Sequence, residues 1–363
     1  PEGPSAVDSG LKALLHVGSA LAGACIILMW PCEVKPFPRH FPQLYTMERR
    51  WSDNPMTRHV ILMLVCLAVT GCASELVLDA DDALAIIPRQ ITSTGHIVVE
   101  TRVNGHGPFR FVIDTGASIS VVYEDAREEA AIEPTPGIQV HVFGMTGSGL
   151  FPVARVAEIG VGDERWKNAR VAILPHIVPS AGRIDGILGV DFLSRYAVLY
   201  SQEERVLRLY PKELVAENGY RGWDRIGLRE LRVGDGNVAV YVVDMYIDTE
   251  HIPTVFDLGA TVNLMNRRGA RALDVMVRRP RSSPDVHGIS GTTEVLAELR
   301  IWRLQIENSF WRNRTFLVGE FPVFETLGLD RRPAAVAGAD LFGRRDFIID
   351  FARQRLLVKS MSP

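Results

Sequence analysis

The sequence predicts a mostly β protein built from two similar lobes related by a pseudo-twofold axis. Two observations lead to this prediction: an internal repeat of long period, and a series of short strand-like runs separated by turn residues. The composition is that of a folded protein, since the 363 residues are 47% hydrophobic and 23% charged. The 40 basic and 43 acidic residues nearly balance, so we expect no nucleic-acid partner.

The repeat consists of two landmarks that recur in the same order. The first is an apolar run that ends in Asp-x-Gly-Ala, and its two copies place Asp114 and Asp257 143 residues apart. The second is an apolar-apolar-Gly element, and its copies place Gly189 and Gly338 149 residues apart. A period this long indicates two similar lobes, because solenoid repeats have periods of about 20–50 residues.

Each lobe reads as a series of short strands. The runs His96–Val103 and Phe109–Ile113 flank a Gly-rich turn and predict a hairpin, and Val238–Ile247 with Pro253–Phe256 predict its counterpart. Further runs occur at 138–142, 153–159, 171–174, 198–200, 206–209, 293–299, 315–318, 347–349 and 356–358. Many short strands predict closed or sandwiched sheets with little helix. The predicted division is a linker at 73–90, lobe 1 at 91–211, a connector at 212–236 and lobe 2 at 237–360.

The N-terminal fifth reads as a targeting signal. Residues 56–72 contain a short basic region, an apolar core and a small-residue region that ends at Cys72. Val69-Thr70-Gly71-Cys72 resembles the bacterial lipobox, which predicts a signal peptide and lipid attachment at Cys72. Ala73 after that Cys resembles an outer-membrane address, so we expect a lipid-anchored envelope protein that faces the periplasm.

Residues 1–55 do not fit a signal that should begin a protein, and their status is doubtful. One interpretation is that translation starts at Met56, so that the given sequence begins upstream of the true start. The other is that Leu11–Trp30 is a marginal membrane segment. We favour the first, because several prolines and few periodic apolar positions indicate a segment with no fold of its own.

The two Asp turns suggest chemistry. An Asp that directly follows a buried strand is partly desolvated, which raises its pKa. If Asp114 and Asp257 meet across a pseudo-twofold axis, the two like charges cannot both form cheaply, so one carboxyl keeps a proton. Such a pair can activate a water and protonate a carbonyl, which is general acid–base hydrolysis without a covalent intermediate.

With these motifs, residues 91–360 resemble a retropepsin-like aspartic protease with two lobes in one chain. The resemblance rests on Asp114-Thr115-Gly116-Ala117, Asp257-Leu258-Gly259-Ala260 and the two apolar-apolar-Gly elements. It implies the acid-protease fold, with two closed β-barrel lobes, and aspartic endopeptidase activity. It also implies that Asp114 and Asp257 are catalytic, and that the active-site turns are supported by Thr115, Gly116, Ala117, Gly259 and Ala260.

The family closes its cleft with Gly-containing hairpin flaps. The resemblance therefore assigns flap or substrate-binding roles to two short segments, Gly144, Met145, Thr146 and Gly147 in lobe 1 and Gly288, Ile289 and Ser290 in lobe 2. Both segments lie between an Asp turn and the following apolar-apolar-Gly element, as the family order requires. A simple surface turn is the alternative interpretation of either segment.

Leu258 departs from the family pattern, in which a Thr or Ser follows each Asp and braces the two turns. Half of that bracing is therefore expected to be missing. Two alternatives stay open: a catalytically degenerate lipoprotein that binds peptide or envelope components, and a homodimer in which two Asp114 lobes pair. We expect an active monomer that acts on peptide or protein substrates and is held at the membrane by its lipid. We expect no cofactor and no catalytic metal, because the nine His residues form no ligand motif.

Overall fold

The computed structural model describes residues 78–176, 182–233, 238–273, 285–288 and 291–360. Ser74–Pro363 forms one compact unit. The predicted signal peptide and Cys72 lie outside the described residues, as do Ile289 and Ser290. None of the helices in the described part of the chain is long and apolar enough to cross a membrane.

Strands dominate the described residues, which confirms the predicted mostly β class. In chain order they are β1 (Ala85–Ile91), β2 (Ile97–Val103), β3 (His106–Ile113), β4 (Val121–Tyr123), β5 (Pro134–Gly144), β6 (Gly147–Val161), β7 (Glu164–Leu174), β8 (Gly186–Leu188), β9 (Ala197–Ser201), β10 (Val206–Tyr210), β11 (Trp223–Gly227), β12 (Arg229–Val233), β13 (Val238–Ile247), β14 (Glu250–Phe256), β15 (Asn263–Asn266), β16 (Asp285–Gly288), β17 (Gly291–Ile306), β18 (Ser309–Gly319), β19 (Ala335–Ala337), β20 (Phe347–Asp350) and β21 (Arg355–Lys359). The α-helices are short: α1 (Glu124–Glu129), α2 (Val190–Leu193), α3 (Arg267–Ala272), α4 (Pro322–Thr326) and α5 (Ala339–Phe342).

The strand pairings of lobe 1 are repeated in lobe 2. In lobe 1, β8 lies between β3 and β4, parallel to the first and antiparallel to the second. In lobe 2, β19 lies between β14 and β15 in the same orientations. The registers correspond as well, since Val112 is opposite Ile187 and Val255 is opposite Val336. The sequence repeat is thus a repeat of topology.

A six-stranded antiparallel layer, in the order β11-β21-β20-β9-β10-β1, joins the lobes. At its centre β9 pairs with β20, and Leu199 is opposite Ile348. These two residues occupy equivalent places in the repeat, so their pairing marks the pseudo-twofold axis. Part of the predicted connector forms β11 and β12, and part of the predicted linker forms β1.

The strands that lead into the two Asp turns are buried on both faces. Val112 and Ile113 at the end of β3 are buried, and so are Val255 and Phe256 at the end of β14. Each strand lies inside its sheet between two neighbours, so apolar residues are favoured at successive positions. The ends of β3 and β14 are therefore rigid supports for the turns that follow.

Candidate active site

Each Asp turn is built by the end of a buried strand and by the apolar-apolar-Gly element beside it. The backbone N–H of Asp114 donates to the carbonyl of Leu188 at 3.1 Å, and the N–H of Asp257 donates to the carbonyl of Ala337 at 3.1 Å. Beyond each turn, the carbonyl of Ala117 accepts from Val190 at 2.8 Å. The matching bond in lobe 2 runs from Ala339 to the carbonyl of Ala260, also at 2.8 Å.

The turns direct backbone donors at each carboxyl group. Oδ1 of Asp114 accepts from the N–H groups of Gly116 and Ala117 at 2.7 and 3.0 Å. Oδ1 of Asp257 accepts from Gly259 and Ala260 at 2.9 and 3.2 Å. One oxygen of each carboxyl is therefore held by its own turn, which fixes the orientation of the side chain.

The structure brings the two carboxyl groups together. Both line one cavity, and each is partly exposed to the cleft. A Cβ atom at Gly116 would lie 2.6 Å from Cγ of Asp257, and one at Gly259 would lie 2.3 Å from Cγ of Asp114. Real Cβ atoms do not approach this closely, so glycine at both positions is what lets the two turns meet.

Thr115 ties the two turns together. Its buried hydroxyl donates to the carbonyl of Phe256 at 2.9 Å and accepts from the N–H of Leu258 at 3.0 Å. Leu258 supplies no hydroxyl in return, and its side chain is buried in the apolar core. One half of the expected bracing is therefore present, made by a single side chain from lobe 1.

A pair of polar supports that was not predicted from the sequence lies beneath the turns. In lobe 1, the hydroxyl of Ser120 donates to Asp191 at 2.7 Å and accepts from the N–H of Gly189 at 3.0 Å. In lobe 2, the side chain of Asn263 donates to Asp340 at 3.1 Å and accepts from Gly338 at 3.1 Å. The repeat itself could have revealed them, since both pairs recur at equivalent positions.

Both carboxyl groups titrate above the ordinary range of Asp. Burial raises the pKa of Asp114 well above its usual value, and the charge of Asp257 raises it further. Burial also raises the pKa of Asp257, although backbone donors oppose the shift. Because the two groups titrate together, the proton belongs to the pair. The pair therefore retains one proton in a pH range where an isolated Asp is ionised.

The hairpin of β5 and β6 lies at the cavity that contains the two carboxyls. Gly144 is opposite Gly147 at its end, with Met145 and Thr146 in the turn. Gly144 and Met145 line a cavity of about 180 Å³ together with Asp114 and Asp257. In lobe 2, Gly288 is opposite Gly291 at the end of the corresponding hairpin, whose turn residues lie outside the described part.

Three further ionisable residues of the described chain, His96, Tyr123 and His141, line the same cavity, and the sequence contains no motif that points to the first two. Nδ1 of His96 lies 2.8 Å from the hydroxyl of Thr94, and burial lowers the pKa of His96. Burial, followed by the charge of Asp114, raises the pKa of Tyr123, so its phenol stays protonated. The carboxyl pair thus shares its cavity with a protonated phenol and a partly buried imidazole.

A family model described as aspartyl protease matches residues 99–192. No curated protein sequence matches the chain significantly. The matched residues run from β2 to α2 and include the Asp114 turn, the β5–β6 hairpin and Gly189. Over residues 99–192, about a quarter of the chain, the sequence is therefore similar to aspartyl proteases.

Proposed function

We propose that the protein is an aspartic endopeptidase in which Asp114 and Asp257 share the catalytic water. The observation that supports this most directly is the approach of the two carboxyls across the paired glycines Gly116 and Gly259. A purely structural pair of buried acids would be unfavourable, because like charges in low dielectric repel. Ionisable groups whose pKa values are strongly shifted by burial and by a neighbouring charge are typical of functional sites.

In the proposed reaction, a water lies between the carboxyls. The ionised partner takes its proton as the water attacks the peptide carbonyl, and the protonated partner donates its proton to the carbonyl oxygen. Collapse of the tetrahedral intermediate then transfers a proton to the departing amide nitrogen. That proton comes from the carboxyl that took it from the water, and as the C–N bond breaks the other carboxylate takes a hydroxyl proton from the intermediate, so the pair again holds one proton. No covalent intermediate forms.

An extended peptide would bind beneath the β5–β6 hairpin as an added strand. Main-chain hydrogen bonds would supply affinity, and side-chain pockets would supply preference. We also propose that each lobe closes into a barrel. Pairing of β2 with β6, as at Arg102 and Gly160, supports closure of lobe 1, and pairing of Met245 with Ile306 supports closure of lobe 2.

The test is cleavage of a denatured protein by the purified full chain. Asp114→Asn and Asp257→Asn should each lower kcat by about 10²–10⁴-fold or more, because either change removes one half of the acid–base pair. Asp163→Asn, at an exposed turn between β6 and β7, is the matched control and should keep full activity. A statine-type transition-state mimic should inhibit the native protein. Unchanged turnover in both Asp114→Asn and Asp257→Asn would refute the mechanism.

We further propose that a single chain forms the active unit. In a homodimer of Asp114 lobes, β9 would have to pair with its own copy, whereas here β9 is paired along its length with β20 of the same chain. Solution mass checks this, because an active species of about 40.3 kDa or less excludes the dimer.

Lipid anchoring at Cys72 and an outer-membrane address remain a proposal that rests on the sequence motif. Expression in a bacterial host with labelled palmitate should label the native protein and leave Cys72→Ser unlabelled. Label retained in the Cys72→Ser protein would overturn the anchor.

A further inference from the structure

The two lobes have equivalent apolar positions next to their Asp residues. In lobe 1 these are Val112, Ile119, Val121 and Ile187. In lobe 2 the same registers place Val255, Val262, Leu264 and Val336. If the two lobes were identical, there would therefore be one apolar pocket on each side of the carboxyl pair.

In lobe 1 these positions border an open space: Val112 and Val121 are buried beneath it, and Ile119 and Ile187 are partly exposed to it. These four residues line the cavity of about 180 Å³ that contains the carboxyl pair, and its apolar side chains come mostly from lobe 1, whereas the described part of lobe 2 contributes only Asp257, Gly259 and Ala260. This volume is enough for one large apolar side chain. The β5–β6 hairpin covers it through Val142 and Phe143.

In lobe 2 the equivalent positions are already packed. Val255, Leu264 and Val336 belong to a buried cluster with Phe321 and Phe324, which are 3% and 2% exposed. Both aromatic residues come from residues 320–334, the connection between β18 and β19. In lobe 1 the corresponding connection, between β7 and β8, is shorter.

Residues 320–334 are held firmly in this position. The rings of Phe321 and Phe324 pack at a tilt of 59° with their centroids 6.2 Å apart, and helix α4 begins at Pro322. The N–H of Leu329 donates to the carbonyl of Phe324 at 2.7 Å, which closes the segment on itself. From lobe 1, Met145 at the hairpin turn packs against the same cluster, so the Asp257 side is also covered from above.

We propose that substrate selection is one-sided. The cleft takes one large apolar side chain beside Asp114, and beside Asp257 it accepts only a small one, because Phe321 and Phe324 fill the space where a second pocket would be. This inference rests on the proposed peptidase function. It assigns specificity to Ile187 and its neighbours on one side and to Phe321 and Phe324 on the other.

The first experiment measures binding, so it does not depend on turnover. Two peptides carry a non-cleavable hydroxyethylene group in place of the scissile amide, one with Leu before it and Ala after it, the other reversed. The native full chain should bind one of them about 10- to 100-fold more tightly, since each added methylene in an apolar pocket contributes to discrimination. A peptide with Leu on both sides should bind no better than the preferred one. Equal binding of the two isomers would overturn the proposal.

Variants then assign the two sides. Ile187→Phe should narrow the lobe 1 pocket and remove most of the preference, about 10-fold or more. Phe324→Leu should open space beside Asp257 and improve binding of the disfavoured isomer. Phe310→Leu, on the half-buried outer face of β18, is the matched control for loss of a ring in lobe 2 and should leave the preference unchanged.

Cleavage-site mapping on a peptide mixture with the native chain completes the test. Large apolar residues should be enriched on one side of the cut and small residues on the other. If the protein binds one isomer selectively but cleaves nothing, the peptidase proposal fails and the one-sided cleft stands. If it cleaves with large apolar residues on both sides, the one-sided cleft fails and the peptidase stands.

Discussion

Gly259 and Asp114 belong to different lobes, yet a methyl group on Gly259 would lie 2.3 Å from the carboxyl carbon of Asp114. The reciprocal pair shows the same close approach, since a methyl group on Gly116 would lie 2.6 Å from the carboxyl carbon of Asp257. The two turns can pack this closely only because neither glycine has a side chain. The distance between the turns is therefore determined by contact between backbone and carboxyl group.

Gly259→Ala should therefore separate the carboxyl groups and lower kcat by about 10²-fold or more, since small misplacement of reacting groups is costly. Steady-state kinetics on a peptide substrate measures the effect. Gly227→Ala is the control, because a Cβ at Gly227 in β11 meets no atom within 4 Å. Equal activity of the two variants would contradict this close packing of the turns.

Thr115 makes two hydrogen bonds from its own Asp turn to the backbone of the opposite one, so its hydroxyl should matter for stability. Thr115→Val leaves the carbonyl of Phe256 and the N–H of Leu258 buried without their partner, which should cost about 1–3 kcal/mol in the free energy of unfolding. Urea unfolding followed by fluorescence provides the measurement. Thr115→Ser keeps the hydroxyl and should lose clearly less; a loss equal to that of Thr115→Val would show that the hydroxyl contributes nothing.

The pH profile of kcat/KM should be bell-shaped, and its alkaline limb should lie at a higher pH than the ordinary pKa of Asp would give. Burial raises the pKa of both Asp114 and Asp257, so the singly protonated pair persists above the ordinary Asp pKa of about 3.9. Activity is then lost as the pH rises through the upper pKa of the pair, and also at low pH when both carboxyls are protonated. Rates measured from pH 3 to 8 check this. An alkaline limb at or below pH 4 would contradict the upward shift of the pKa of the pair.

Asp114→Asn should stabilise the fold at neutral pH. A carboxyl whose pKa is raised on folding favours the folded state only while it is protonated, so its unfavourable contribution grows as the pH rises from about 3.9 through the raised pKa. Replacement by an amide removes that contribution. Thermal unfolding should give a higher Tm for Asp114→Asn at pH 7, by about 2–4 °C for each kcal/mol relieved, and little difference near pH 3.

The exposed Asp163→Asn control should leave the Tm unchanged at both pH values. A lower Tm for Asp114→Asn at pH 7 would mean that the backbone hydrogen bonds to the carboxylate outweigh the cost of its burial.

The hairpins, the Asp turns and the order of the landmarks were predictable, because each depends on local pattern. The run Val238–Ile247, for example, forms β13 with the predicted bounds. Strand β1 was not predicted, since Pro88 and Arg89 interrupt its apolar residues and its partner β10 lies far along the chain. When two paired strands are this far apart along the chain, no local sequence pattern indicates that they pair.

The packing of Phe321 and Phe324 could not be predicted either. In the sequence they are two apolar residues beside a proline, a pattern that fits any short helix. Their effect on the cleft depends on where residues 320–334 fold back, which is a tertiary property. Leu258 shows the complementary case: its missing hydroxyl was predictable, but the use of one Thr115 hydroxyl for both bonds was not.

The pairing of Leu199 with Ile348 has a consequence for synthesis of the chain. Strand β9 is translated well before β20, so a nascent lobe 1 presents β9 as an unpaired edge until β20 leaves the ribosome. Unpaired edges invite association with other chains. Folding of the nascent chain should therefore depend on a chaperone or another contact that covers the edge of β9 during translation. A truncated chain that ends before β20 should aggregate, although it contains both Asp turns.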